Sequence, residues 1–176
     1  MKCAIIISTI LLIFIIPYQT QSINYDDFSK KIDKFFDDEF KQSDEGRVFY
    51  SHSMMIYDTG KEREDEALIR NTFSDLGLVS PKWYDGTNGK MQVEMNTLTG
   101  KKVGEMDFYK TVVGSCQMLV YDKWKNEIPS GVAIEVNHAL DIGIPVFLLD
   151  NGKFILQKEH VKGLSYQETA DMYKRY

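Results

Sequence analysis

"PSGVAIEVNHALDIGIPVFLLD", residues Pro129 to Asp150, decides the fold. Val132, Val136, Ala139 and Leu140 recur at helical spacing, which predicts a helix over about 130–142 with one face on a core. Gly143 follows it, and "IPVFLLD" (144–150) reads as a buried strand. Glu135 stands beside the apolar stripe, three residues from Val132 and four from Ala139, at the rim of that core. Partial desolvation raises such a carboxyl's pKa, and the nearby helix N-terminus opposes the rise. Ser130 is the expected N-cap, and Gly131 lets a ligand approach the backbone closely. From the residues alone, Glu135 is either a solvated helix glutamate or a carboxylate that meets a ligand.

The same alternation extends in both directions. "RVFYSH" (47–52) is the first predicted core strand, "LVSP" (78–81) a short second, "QMLVYD" (117–122) a third and "GKFILQ" (152–157) a last one, paired through the Asn151-Gly152 turn. Between them, "KEREDEALIRNTFSDLG" (61–77) predicts a charged helix with Ala67, Leu68 and Phe73 inward and Gly77 as its C-cap. The "KEREDE" run (61–66) reads as its solvated face. Residues 102–114 predict a further helix and "SYQETADMYKRY" a terminal one, while Lys82 to Gly104 reads as a long loop.

Strands alternating with helices imply a single α/β domain: a doubly wound, mostly parallel sheet, flavodoxin-like or Rossmann-like, with helices on both faces. Right-handed crossovers bring the strand-to-helix loops to one sheet edge, where ligands of such folds sit. "SHSMMIYDTG" and "DKWKNEIPSG" fall at that edge, so the chemistry is expected there. His52 belongs to it, either facing the pocket or bonded structurally. Trp83 and Trp124, in predicted loops, either stack on a base or close the core.

The 176 residues suffice for one domain with a core, and the 43% hydrophobic content excludes a disordered chain. A net charge of −5 argues against a nucleic-acid polymer as partner, though not against a nucleotide monomer. The three histidines show no metal-ligand pattern, so neither metal nor cofactor is expected. Residues 1–22 have the shape of a secretory signal peptide: Lys2, an apolar run from Cys3 to Ile16, then Pro17 and small residues to Ser22. That run is shorter than the roughly 20 residues a spanning helix needs. The expectation is an exported protein, touching a membrane only through this segment if it stays uncleaved. An amphipathic helix over 23–45 then precedes the α/β domain of 46–176. Cleavage leaves Cys116 as a lone thiol, read as buried and inert.

"SGVAIEVNHALDIGIPVFLLD", "RVFYSHSMM" and "EMDFYKTVVGSCQMLVYD", in that relation over roughly residues 46–150, resemble the nucleoside 2-deoxyribosyltransferase family and its 2′-deoxynucleoside 5′-monophosphate N-glycosidase relatives. The resemblance implies a nucleoside or nucleotide as small-molecule substrate, Glu135 as the nucleophile that attacks the anomeric carbon, and Asp107 or His52 as assisting acid/base. It implies further that Phe49 and Tyr50 are the aromatic pair of the pocket, with Tyr50 on sugar or base. Ser53 would hold sugar or phosphate, and Ser130 and Gly131 would offer a hydroxyl and backbone N–H groups to a 5′-phosphate. A homo-oligomer is implied as well. The chain departs from the family at Pro129, where the transferases carry an aspartate, at Gln117, where many relatives have an aspartate, and at His52, usually glycine or alanine. Two other readings stay open: a non-catalytic nucleotide-binding module, and an NAD-cleaving glycohydrolase of the same superfamily.

Overall fold

The structure, a computed structural model, describes residues 46–82 and 105–176, with side chains from 108 onward in the second stretch. The expected leader (1–22), the helix over 23–45 and the loop following Lys82, with Trp83, lie outside the described residues. Among the described residues no helix is long and apolar enough to cross a membrane.

The elements run β1 (Arg47–Ser51), a 3-10 turn (Met54–Ile56), α1 (Gly60–Thr72), β2 (Gly77–Val79), α2 (Glu105–Gly114), β3 (Met118–Tyr121), α3 (Ser130–Asp141), β4 (Val146–Asp150), β5 (Lys153–Gln157) and α4 (Tyr166–Arg175). The sheet order is β2-β1-β3-β4-β5. The first four strands pair in parallel, with Ser51 opposite Tyr121, and β5 pairs antiparallel with β4. Asn151 and Gly152 both take positive φ, as a two-residue hairpin turn requires.

Alternation along the strands sends side chains to two cores. On one face Phe49, Leu119, Tyr121 and Val146 pack with Val112 and Val113 of α2 and with Val132, Val136 and Ala139 of α3. On the other, Val48, Tyr50, Leu78, Val120 and Leu149 pack with Ile69 of α1, and Phe73, Phe147 and Phe154 close the layer. This is the doubly wound, mostly parallel α/β fold, with helices on both faces. The strand order reverses its sense between β1 and β3, which makes their carboxyl ends the switch point at which ligands sit in such sheets.

Local readings of α1 need correction. Its inward residues are Glu62 and Ile69, both fully buried, with Leu68 and Phe73 partly buried, whereas Ala67 is exposed. The "KEREDE" run is therefore not wholly solvated: Glu62 faces inward, where Lys82 meets it. The helix closes with Phe73, whose N–H bonds Ile69 O, and Gly77 instead opens β2 opposite Arg47. Gly77 is taken by the sheet because its N–H bonds Gly46 O at 2.9 Å. Gly143, with φ +78, follows the end of α3 as the sequence suggests. Cys116 is buried and in no disulfide, its thiol against Val112 O. Trp124 packs against the second core, edge-on to Tyr176.

Candidate active site

A cavity of about 420 Å³ opens at the carboxyl end of β1, bounded by the first turn of α3 and by α4. Its volume lies in the range of small-ligand sites. Glu135 is on its wall, one turn into α3, and only 5% exposed. Burial pushes its carboxyl up to about 7, and a hydrogen bond from Ser51 opposes that rise. Ser51 Oγ donates to Glu135 Oε2 at 2.5 Å across 84 positions of sequence. Strand alternation explains the meeting: Ser51 shares the face of Phe49, the face covered by α2 and α3. Glu135 is thus deeper than the rim position its spacing suggests, because α3 turns it inward beside Val132 and Val136.

The first turn of α3 is built differently from the expectation. Pro129 takes the N-cap position and offers no side-chain cap, and Ser130 is the first helical residue. Ser130 N–H donates instead to Thr169 Oγ1 of α4 at 2.9 Å. Proline precedes the helix without cost because its missing N–H needs no partner there. Gly131 borders the cavity, and a Cβ at this position would meet nothing within 4 Å. In α-helical geometry the N–H groups of Gly131 and Val132 have no carbonyl partner within the helix.

His52 lines the cavity but turns both ring nitrogens to protein atoms. Nδ1 lies 3.2 Å from Ser53 O, and Nε2 is 3.3 Å from Ser80 Oγ and 3.5 Å from Glu62 Oε1. Its ring lies 4.4 Å from Tyr50 and meets Tyr57 edge-on at 5.2 Å. Burial lowers its pKa to about 4, with bonding to Ser53 and the Glu62 charge pulling the other way. At neutral pH the imidazole carries no extra proton, and both of its nitrogens lie against protein atoms.

The expected aromatic pair is not in the cavity wall. Phe49 and Tyr50 are both fully buried, on opposite faces of the sheet, and the Tyr50 hydroxyl donates to Asp65 Oδ2 at 2.6 Å. The expected contact of Tyr50 with sugar or base is therefore replaced by packing against α1. Ser53 caps the 3-10 turn by accepting from Met55 N–H at 3.2 Å and also bonds Tyr173, so it stands behind the cavity. Asp107 has its backbone in α2, and its side chain lies outside the described residues. Gln117, at the amino end of β3, accepts from Arg47 N–H and so belongs to the edge away from the cavity.

The aromatic wall comes from residues that local patterns do not single out: Tyr57, Tyr109 of α2, and Tyr166 and Tyr173 of α4. Burial raises the Tyr173 pKa, hydrogen bonds to Ser53 and Met54 lower it, and the Glu135 charge raises it slightly. The signal for α4 was its capping box, Ser165 with Glu168, and its amphipathic pattern; neither says which cavity the helix would close.

No protein-family model matches this chain, and no curated protein or solved structure is found similar to it.

Proposed function

We propose that the protein cleaves or transfers the N-glycosidic bond of a nucleoside or nucleotide, with Glu135 as the nucleophile. The observation that carries this reading is a buried carboxyl on a cavity wall at the switch point of the sheet, held by a hydrogen bond from Ser51. The likeness of the Pro129–Asp150 stretch to nucleoside 2-deoxyribosyltransferases supplies the reaction class. A carboxylate pushed up to about 7 is ionised in a substantial fraction at neutral pH, and it is a stronger base and nucleophile than an ordinary one.

In the first step an oxygen of ionised Glu135 bonds to the anomeric carbon while the carbon–nitrogen bond breaks. The electron pair of that bond leaves with the base, which takes up a proton from solvent water. Water then attacks the same carbon and gives its proton back to solvent as the glycosyl ester opens and the carboxylate returns; a second base that loses its N–H proton in the same way gives transfer. Tyr57, Tyr109, Tyr166 and Tyr173 supply the aromatic surface that a planar base needs. A second reading, a binding module without turnover, is favoured by one observation: both His52 nitrogens are engaged by Ser53 and Ser80, and burial keeps the ring neutral, which leaves it a poor proton donor to a leaving base.

The test is incubation of the full chain with deoxynucleosides, deoxynucleotides and NAD, with free base followed by chromatography. Release of base by the native protein and none by Glu135→Ala is the expected result. Intact ligand retained without release would establish the binding module instead.

A further inference from the structure

We propose that Ser51 is the positioning residue of Glu135: its hydroxyl holds Oε2, fixes the carboxyl rotamer, and leaves Oε1 as the oxygen that meets the ligand. The inference rests on reading Glu135 as the nucleophile, and it goes beyond that reading by assigning a role to a residue of β1 that does not border the cavity. Ser51 is fully buried and Glu135 almost so, so water does not compete for their bond. A serine hydroxyl has one proton to donate. Given to Oε2 at 2.5 Å, that proton leaves one carboxylate oxygen without this donor. The backbone of Ser51 is itself fixed, paired opposite Tyr121 in β3 and accepting from Asp122 N–H at 3.3 Å. The rigid centre of the sheet thereby sets where a helix side chain points, which is how a reacting group is kept in productive geometry.

A donor to the charged form of an acid also favours that form. The other titratable groups at the cavity are His52, Tyr57, Tyr109, Tyr166 and Tyr173. His52 is neutral above about pH 4, and burial pushes the Tyr173 pKa up, away from neutrality. Ser51 is accordingly the neighbour whose removal moves the ionisation of Glu135 near pH 7.

The test compares native protein with Ser51→Ala and Ser51→Thr by infrared titration of the Glu135 carboxyl, using Glu135→Gln as the blank. In Ser51→Ala the midpoint moves upward by about one pH unit, the scale of one hydrogen bond to a charged group, and Ser51→Thr restores it. The acid limb of base release moves by the same amount, so that rates at pH 6 fall about tenfold while rates well above the midpoint fall less. An unmoved midpoint in a folded Ser51→Ala protein overturns the assignment. Absence of base release by native protein removes the glycosyl-transfer reading instead, and the infrared midpoint then decides the Ser51 bond by itself.

Discussion

The Lys82 ammonium stands 2.7 Å from Oε2 of Glu62, a carboxylate with no exposed surface. Asp58 N–H donates to the same oxygen at 2.7 Å, and Oε1 lies 3.5 Å from His52 Nε2. Oε1 has no hydrogen-bond partner among the described residues, so the buried charge is held by Lys82 and Asp58 N–H on Oε2, and losing one of them leaves a charge in low dielectric. Lys82→Met should therefore lower stability by about 3 kcal/mol, the lower end for such pairs since Lys82 is partly exposed. Glu62→Gln should cost less, because an amide keeps an acceptor for Asp58 and carries no charge. Urea melts of both variants decide the matter, and equal losses would contradict the ranking.

Glu135 should weaken the fold as pH rises. Its folded pKa of about 7 exceeds the ordinary 4.5, so the native state binds the extra proton between those values. The stabilising contribution is full below about 4.5 and is lost as pH rises through 7. Glu135→Gln should gain about 3 kcal/mol relative to native protein between pH 4 and pH 8, while abolishing base release. Denaturation at the two pH values measures the gain; a difference independent of pH would show that the carboxyl is not perturbed.

His52 acts in the opposite sense. Its folded pKa of about 4 lies below 6.5, so the unfolded chain takes up the proton first as pH falls. Stability from the neutral ring is present above about 6.5 and is lost on acidification toward 4, by about 3 kcal/mol in all. His52→Asn should remove that portion of the acid dependence whatever it does to stability at pH 7. Stability profiles of variant and native protein that run parallel between pH 4 and 6.5 would refute this.

Gly131, in the first turn of α3, and Gly163, packed against that turn, should respond differently to a methyl group. A Cβ on Gly163 would stand 2.3 Å from Ala133 Cβ and 3.2 Å from Ile128 O. Gly163→Ala should cost about 2 kcal/mol by overpacking, and it should disturb the Leu164 N–H bond to Ile128 O that leads into α4. Gly131→Ala meets nothing and should leave stability unchanged or slightly raised. Any ligand that fills the cavity should nevertheless bind Gly131→Ala more weakly, and calorimetry of folding and of binding separates the two effects.

Much of the fold was legible because its signals are local. The apolar periods of α3 and β4, the Asn151-Gly152 turn and the strand–helix alternation each depend on a few consecutive residues, and together they imply a mostly parallel sheet. The candidate site was legible in part. Glu135 stood out as a carboxylate beside an apolar stripe, and Gly131 as a place for close approach. Ser130 is the first helical residue and Pro129 the N-cap, and the acceptor for the Ser130 N–H is Thr169 Oγ1, 39 residues away, which no local pattern announces.

The sequence by itself determined the class of the fold, the order of its elements and the sheet edge at which folds of this class bind ligands, since periodicity and turn chemistry act over one or two turns of chain. Only the tertiary structure decided which side chains meet there. Strand alternation separates Tyr50 from Ser51, but sheet order and helix rotation decide that Tyr50 reaches Asp65 while Ser51 reaches Glu135. The same long-range packing buried Glu62 within a charged run and brought Tyr173 of α4 to the cavity. Such contacts join residues whose separation in sequence carries no periodic trace, so they exist only once the sheet has assembled and the helices have settled against it.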